Sequence, residues 1–451
     1  MHNWVRHGLL CGLIFAAISL SAADTLIWQT NLVNADIQSL PLEKVLKQIA
    51  RDSGWQVFLE PGTTRDVSTK FKDLPPGRAL ALLLGNLNFA LVPQTNGPSR
   101  LLVFRTSRGN ATEQVKPAVP RIAKHVPNEL IVTLKPGMDI DALAKALGAK
   151  VTGHLDGINA YRLQFKDAAA AEAARQLLND NPDVAKVDYN YVVRPPPSVT
   201  NGTGGGVPNF SLNMAPPGSN GRVIVGLVDT AVQPLSGDLN NFLLKQISVA
   251  GDVTIDTSSP MHGTAMAETM LRAISQATGG NSSVQILPVD VYGPNPNTTT
   301  FDVATGIVAA INHGANPINL SLGGTGNSQF LQELITQAVQ NGITFFAAAG
   351  NDGSSEMFYP AAYTGVNAVT AASSPNQVAS YANRGSFVDL MAPGSSMVYL
   401  NNSAYAVNGT SVSSAYISGF TSGLADMNKT SVRNATSTVL NAPAFRPPPM
   451  Y

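Results

Sequence analysis

Apolar positions recur at helical spacing in the first part of the chain. The spacing from Leu42 to Ala50 predicts a helix that ends at Gly54. The segment from Trp55 to Leu59 then predicts a strand, and a second helix is predicted after Pro75-Pro76. Residues 24–107 are therefore predicted to form a small α/β domain.

A second domain is predicted at residues 128–193, where the pattern gives strand, helix, strand, strand, helix, strand. This is the order of a ferredoxin-like α+β domain. Residues 108–127, which are polar and contain several prolines, are predicted to be a linker. Residues 194–221 contain Pro195-Pro196-Pro197 and several glycines, and they predict a flexible, exposed tether.

Continuous apolar runs separated by helical patterns follow in residues 222–442. Uninterrupted apolar strands are typical of a parallel sheet that is covered by helices on both faces, so a three-layer α/β domain with a mostly parallel sheet is predicted. The runs are Val223 to Val228, Gln285 to Val291, Ile318 to Leu322, Thr344 to Ala348 and Ala368 to Ala371. Residues 443–451 form a proline-rich tail.

The amino terminus indicates the compartment in which the protein works. Basic residues precede the apolar run Gly8 to Leu20, and small residues near Ala23 predict cleavage of residues 1–23 as a secretory signal. The run is short for a membrane-spanning helix. Cys11 is the only cysteine, so removal of the signal leaves no thiol for disulfides, thiolate catalysis or a cysteine-bound zinc. The prediction is an exported protein, periplasmic or secreted.

Charge narrows the class of partner. The chain has 451 residues, equal numbers of acidic and basic side chains and only 13% charged residues. A neutral chain gives no electrostatic basis for binding nucleic acid or an anionic membrane surface.

Four polar residues stand at predicted strand or helix ends in the third domain. Asp229 ends a buried strand, His262 and Ser411 each begin a run of small residues leading into a buried helix, and Asn351 follows another strand. Functional groups gather at the carboxyl ends of parallel strands. Each residue also has an ordinary structural interpretation, such as a turn aspartate or a helix-capping serine. Their coincidence in one domain favours a catalytic site.

The motifs around these residues resemble those of the subtilisin-like serine proteases, or subtilases. The resemblance covers nearly all of residues 222–442, and the order Asp, His, Ser is the one known for subtilisin. The motifs are Val228-Asp229-Thr230, His262-Gly263-Thr264, Asn319-Leu320-Ser321-Leu322-Gly323-Gly324, Ala349-Gly350-Asn351, Tyr359-Pro360-Ala361-Ala362-Tyr363, Ala392-Pro393-Gly394 and Gly409-Thr410-Ser411.

This resemblance implies a serine endopeptidase in which Ser411 is the nucleophile, His262 the general base and Asp229 the residue that orients it. Asn351 is implied to donate to the oxyanion. The substrate-binding residues implied by the resemblance are Ser321, Leu322, Gly323 and Gly324.

The two preceding domains carry resemblances of their own. Residues 128–193 resemble the subtilase propeptide, which implies a self-inhibited precursor that is cut between Tyr191 and Gly206 at a bond whose nitrogen is not proline. Residues 24–107 resemble the short N-terminal domain of secretins and TonB-dependent receptors. That resemblance implies docking to another envelope protein, and the alternative is a spacer or folding aid.

The chain departs from the subtilase pattern at several positions, which affects efficiency and specificity more than the type of reaction. Ala231 replaces a common glycine, and Val412, Ser413, Ala415 and Tyr416 replace the usual residues after the nucleophile. Subtilases often bind calcium, but no acidic cluster here allows a calcium site to be assigned. Two other functions stay open at this point: a silent subtilase-fold binding or scaffold protein, and a protease that cleaves only itself.

Overall fold

The computed structural model describes residues 25–28, 32–94, 98–115, 124–155, 157–194, 200–218, 221–253, 255 and 258–448. The predicted signal and the proline triplet 195–197 lie outside the described residues. The chain divides into two compact units between Pro120 and Arg121. In the described ranges no helix is both long enough and apolar enough to cross a bilayer.

The first unit contains two sheets and two helices. Strands β1, β2 and β4 form an antiparallel sheet, and a second sheet has the order β5-β6-β3-β7. The elements are β1 (Thr25–Trp28), β2 (Val33–Pro41), α1 (Leu42–Ser53), β3 (Gln56–Leu59), β4 (Asp66–Leu74), α2 (Pro76–Leu84), β5 (Asn88–Val92), β6 (Arg100–Phe104), a short 3-10 helix (Arg108–Asn110) and β7 (Glu113–Val115).

The first unit begins and ends differently from the sequence prediction. The hairpin of β1 and β2 was not predicted, and β7, which lies in the predicted linker, pairs antiparallel with β3. In β7 only Val115 is buried, and one apolar residue gives no periodic signal. Backbone pairing with β3 therefore extends this unit beyond residue 107.

The second unit opens with the four strands and two helices of residues 125–193. They are β8 (His125–Leu134), α3 (Ile140–Leu147), β9 (Lys150–Leu155), β10 (Ala160–Gln164), α4 (Ala168–Asn179) and β11 (Val184–Val193). The strand order is β11-β8-β10-β9, and Asp139 and Asp167 cap the amino ends of α3 and α4. We refer to residues 125–193 as the prodomain-like region.

The remainder of this unit is built on an eight-stranded, mostly parallel sheet, which confirms the predicted α/β class. Its order is β15-β17-β14-β19-β20-β21-β22, with β23 also paired to β21. The elements are β12 (Thr200–Gly205), β13 (Asn213–Met214), β14 (Ile224–Asp229), β15 (Ile247–Ser248), α5 (His262–Thr278), β16 (Asn281–Ser282), β17 (Gln285–Asp290), β18 (Thr298–Thr299), α6 (Thr300–Asn312), β19 (Ile318–Leu320), α7 (Gln329–Gln340), β20 (Phe345–Ala348), β21 (Val366–Ser374), β22 (Gln377–Val378), β23 (Leu390–Pro393), β24 (Ser395–Leu400), β25 (Ser403–Asn408), α8 (Thr410–Met427) and α9 (Val432–Asn441).

The two faces of the main sheet bury different helices. Val225 and Leu227 of β14 pack into the same apolar cluster as Met270 of α5, whereas Val228 joins the cluster of α6 and α7. Alternate residues of a strand point to opposite faces, so helices cover both sides of this strand. The three layers that the sequence predicts are thus present.

The prediction of a flexible, exposed tether at residues 194–221 is wrong for part of that range. Strand β12 pairs antiparallel with β25, and β13 pairs with β16. Leu212, which lies between β12 and β13 in the sequence, is only 3% exposed. Glycine-rich β12 carries no hydrophobic pattern, so its place is set by backbone hydrogen bonds to a strand that lies far away in the sequence.

Candidate active site

Asp229 ends β14 at the carboxyl edge of the parallel sheet and is 1% exposed. Its Oδ1 accepts a hydrogen bond from the Thr230 backbone N–H at 2.7 Å, while Oδ2 is buried without a hydrogen-bond partner in the structure. Burial, together with the charges of Asp229 and Asp290, raises the pKa of Tyr292 well above its usual value. The surroundings of Asp229 are thus poorly solvated.

His262 is the first residue of α5, as the sequence predicts. Its Nδ1 lies 2.7 Å from Asp229 Oδ1. A carboxylate only accepts hydrogen bonds, so the proton of the neutral imidazole belongs on Nδ1 and Nε2 keeps its lone pair. A Cβ at Gly263 would lie 2.2 Å from the Thr230 carbonyl oxygen, so glycine is needed where α5 approaches the end of β14.

Ser411 is the second residue of α8, and Gly409 precedes the helix with φ of 150°. The serine is 2% exposed. Its Oγ donates to the Ser321 carbonyl oxygen at 3.1 Å, and Ser321 Oγ donates to the Ser411 carbonyl oxygen at 3.0 Å. In this conformation the hydroxyl group of Ser411 is therefore bound to the Ser321 carbonyl oxygen.

Helix packing brings the starts of α5 and α8 to the same level. A Cβ at Gly419 would lie 2.4 Å from the Met270 carbonyl oxygen, and one at Gly423 would lie 3.3 Å from Ile274 Cα. Gly419 and Met270 each lie two turns into their helices, and Gly423 and Ile274 lie a further turn on, so the helices run parallel and in register. Their first turns, which contain His262 and Ser411, therefore lie at the same level.

Asn351 follows β20, and its carboxamide is oriented by the residue before Ser411. Asn351 Oδ1 accepts from the Thr410 N–H at 2.9 Å and from Thr410 Oγ1 at 3.1 Å. Since the oxygen is occupied, Nδ2 is the group left to donate. A Cβ at Gly409 would lie 3.4 Å from Nδ2, so this donor faces the start of α8.

The segment from Ser321 to Gly324 lies beyond the end of β19 rather than within a strand. Gly323 forms an antiparallel bridge with Arg194 at the end of the prodomain-like region. The backbone of Gly324 is paired instead with Tyr359, through hydrogen bonds of 2.8 and 2.7 Å. Gly323 also has a structural reason to be glycine, because its Cβ would lie 2.3 Å from Phe358 Cε1.

Comparison with known proteins identifies the families that two segments of the chain match. The Subtilase family matches residues 220–442, and the Fervidolysin N-terminal prodomain matches residues 112–190. A thermophilic serine proteinase from Bacillus sp. (strain AK1) is 31% identical over 323 residues, which covers 68% of this chain and 80% of that protein. This chain belongs to the subtilase family.

One further relative is similar to this subtilase in sequence, and one solved structure is similar to it in fold. Subtilisin DY from Bacillus licheniformis is 33% identical over 207 residues, covering 44% of this chain and 74% of that protein. Fervidolysin from Fervidobacterium pennivorans, a keratinolytic enzyme related to subtilisin, shares the fold with a TM-score of 0.54 at 18% identity. The alignment covers 69% of the subtilase and 56% of the fervidolysin chain. The chain is accordingly a serine-type endopeptidase made with a prodomain.

Sequence reasoning missed two polar residues in the subtilase prodomain. Asp188 Oδ2 accepts from Ser328 Oγ at 2.7 Å and from the Phe330 N–H at 3.1 Å, at the start of α7. Asn190 Oδ1 accepts from the Phe301 N–H at 3.1 Å, at the start of α6. The only sequence signal is that two polar residues stand two positions apart in a mostly apolar strand, and that signal names no partner.

Metal ligands are not gathered in the described part of this subtilase: no group of three or more His, Cys, Asp or Glu side chains there could hold a metal ion. A calcium site is not assigned.

Proposed function

We propose that this serine endopeptidase works through Ser411, His262 and Asp229, and that its prodomain-like region holds the precursor inactive. The observation that carries the catalytic part is the 2.7 Å contact between His262 Nδ1 and Asp229 Oδ1, beside a parallel helix whose second residue is Ser411. The inhibitory part is supported by the antiparallel bridge between Arg194 and Gly323.

The proposed reaction is acyl transfer in two steps. His262 Nε2 takes the hydroxyl proton of Ser411 as Oγ attacks the substrate carbonyl carbon, and then gives that proton to the leaving amine. Asp229 holds the imidazole and stabilises its cation. Water attacks the acyl-enzyme in the second step, with His262 again accepting the proton.

Negative charge on the substrate oxygen would be stabilised by two kinds of donor. Asn351 Nδ2 is left free to donate because Thr410 occupies the carboxamide oxygen. The backbone N–H groups at the start of α8 and the positive end of the helix dipole add to this. Both are fixed before the substrate binds, so little reorganisation is needed during the reaction.

The prodomain-like region is proposed to inhibit the peptidase because its last strand leads into the segment predicted to bind substrate. Val192 and Val193 of β11 pair with β18, and Arg194 pairs with Gly323 in the segment predicted to bind substrate. The hydrogen bonds of Asp188 and Asn190 to the starts of α7 and α6 hold the strand in place. A peptide substrate therefore has to displace this strand.

Export and docking rest on the sequence alone. The apolar segment Gly8 to Leu20 supports export to the periplasm or the exterior. Docking of residues 24–107 to an envelope protein is supported by their resemblance to the N-terminal domain of secretins and TonB-dependent receptors, and it stays a prediction.

The test compares the chain from Asp24 onward with its Ser411→Ala variant. We expect the parent to split between Tyr191 and Gly206 and the variant to remain whole, as measured by intact mass. Cleavage of an added fluorogenic peptide by the parent alone would separate an enzyme acting on other chains from one that cuts only itself. If parent and variant both stay whole while folded and neither cuts peptide, the proposal is wrong and the silent binding protein is favoured.

A further inference from the structure

The end of the prodomain-like region fixes a register along the groove that leads to Ser411. Val192 is paired with Thr299, Val193 with Thr298, and Arg194 with Gly323. Ser321, two residues before Gly323, carries the carbonyl oxygen to which Ser411 Oγ donates. A peptide bound in this register places the residue opposite Ser321 beside the nucleophile. That residue is counted as the first, and the count runs toward the amino terminus. Arg194 then stands at the third position, Val193 at the fourth and Tyr191 at the sixth.

Val193, at the fourth position, is buried against apolar side chains. It is 4% exposed and packs in the same apolar cluster as Val303 and Leu322. Its neighbours come from α6 and from the segment after β19. Both belong to residues 222–442, which we call the catalytic part of the chain. The register is therefore anchored by side-chain burial as well as by backbone pairing.

Tyr191, at the sixth position, lies directly on Gly326. A Cβ added at Gly326 would be 2.5 Å from Tyr191 Cγ and 2.6 Å from Cδ1, so no side chain larger than hydrogen fits beneath this ring. The Tyr191 N–H donates to Thr300 Oγ1 at 3.1 Å. Burial is the main reason that the pKa of Tyr191 is raised.

Little room for water is left around this contact. The cavity left between Tyr191 and residues that include Gly324, Gly326, Leu331 and Tyr359 has about 10 Å³ of free volume. A single water needs roughly that much. Gly326 is not among the glycines with positive φ, so its backbone conformation does not require glycine. What glycine provides at this position is room for the ring.

We propose that Gly326 forms an aromatic subsite for the sixth residue on the amino side of the scissile bond. The ligand class is an extended polypeptide with an aromatic side chain at that position. This inference rests on the proposed function, because it assumes that substrates follow the register of residues 191–194.

The alternative is that Tyr191 belongs only to the inhibitor. Its ring also lies 6.4 Å from His125 and 6.0 Å from Tyr189, measured between ring centroids, and both residues belong to the prodomain-like region. A substrate lacks those two neighbours and has only the catalytic part of the chain to contact. The test therefore has to be made with substrate peptides on the mature enzyme.

The experiment uses two quenched fluorescent peptides that differ only in Tyr or Ala at the sixth position, with Val at the fourth. We expect the self-processed enzyme to show a kcat/KM about fivefold higher for the Tyr peptide, since partial burial of an aromatic ring contributes about 1 kcal/mol. In Gly326→Ala the ratio should fall to about one. Gln337→Ala, at an exposed position of α7, is the matched control and should keep the parent ratio.

Equal kcat/KM values for the two peptides in the parent would assign Tyr191 to the inhibitor alone and overturn the subsite. If Gly326→Ala keeps the parent ratio of kcat/KM between the two peptides, Gly326 does not form the subsite. Failure of the parent to cut either peptide, or a general protein substrate such as casein, would instead contradict the proposed function itself.

Discussion

At the scale of single residues, the candidate site depends on side chains whose freedom is removed by their neighbours. Thr410 uses two donors to hold the Asn351 oxygen, which leaves the amide nitrogen to face the start of α8. Asp229 similarly uses one oxygen for both His262 and Thr230. Preorganisation of this kind is what makes a donor effective in a transition state.

Replacing Asn351 with Leu tests the oxyanion donor. We expect kcat to fall about 10²- to 10³-fold with little change in KM, the range known for removal of one such donor in a subtilisin. Thr410→Val is the companion variant, because it removes the hydroxyl that orients Asn351 but keeps the backbone N–H. Its loss of kcat should be much smaller. Steady-state kinetics near the parent values for Asn351→Leu would remove Asn351 from the mechanism.

Glu268 gives the protein a pH dependence that is independent of catalysis. It lies on α5, is 2% exposed, and accepts a hydrogen bond from the Tyr399 N–H at 2.8 Å. Arg272 Nη2 is 3.8 Å from its other oxygen, too far for a hydrogen bond. Burial raises the pKa of Glu268 to about 7, and the hydrogen bond and Arg272 offset this only in part.

The direction in which stability changes with pH follows from proton binding to Glu268 in the folded and unfolded states. Between the unfolded pKa of about 4.3 and the folded value, the native state holds a proton that the unfolded chain has lost, so stability falls as pH rises through this window. The loss is complete above pH 7 and amounts to about 4 kcal/mol at most. In a Ser411→Ala background, Glu268→Gln should therefore raise Tm at pH 8 but not at pH 4.5. Glu356→Gln, at an exposed position, serves as the control. An equal Tm difference at both pH values would contradict this assignment.

At the scale of elements, the site is assembled by the ends of helices. Helices α5 and α8 run parallel in register, so the closeness of Gly419 to Met270 also sets the level of His262 and Ser411. Helices α6 and α7 point their amino ends at β11, where Asn190 and Asp188 accept hydrogen bonds from them. Free N–H groups at helix starts thus hold the prodomain-like region on the catalytic part.

Removing both caps should weaken this attachment. In the Ser411→Ala precursor, Asp188→Ala and Asn190→Ala each delete acceptors at a helix start, and each loss costs about 1 kcal/mol. We expect the double variant to unfold at lower temperature and to be digested faster by an added protease within residues 125–193. Asp183→Ala, an exposed aspartate of the same region, is the control. Digestion of the double variant at the parent rate would show that β-pairing alone holds the region.

At the scale of the whole molecule, the chain is two compact units with separate cores. The first unit buries side chains from both of its helices, including Leu46 and Leu83, within a single apolar cluster. Strand β7 completes its second sheet. The second unit contains the prodomain-like and catalytic parts, whose apolar residues, such as Ile131 and Val228, share one cluster. Folding of the first unit should therefore not depend on the second.

Expression of residues 25–115 alone tests this independence. We expect a cooperative thermal transition by circular dichroism, because the fragment contains its complete apolar cluster and both sheets. A fragment that stops at residue 107 lacks β7 and should melt at a lower temperature. Failure of the longer fragment to fold would mean that the first unit needs the rest of the chain.

Local patterns in the sequence determined the elements that carry the candidate site. The end of β14 at Asp229, the start of α5 at His262 and the first turn of α8, which contains Ser411, lie where the sequence predicts them. Apolar runs, glycines and small residues act within one or two turns of the chain, so the sequence displays them directly.

Only the tertiary structure decided which distant groups meet. The pairing of β12 with β25, the addition of β7 to β3, the caps provided by Asp188 and Asn190, and the fit of Tyr191 on Gly326 all join segments far apart in sequence. Backbone N–H and C=O groups are the same in every non-proline residue, so a sequence does not state which strand they will pair with. A glycine likewise does not name the side chain that it makes room for. These contacts are set when the whole core closes, and they are what place one part of the chain over the groove of another.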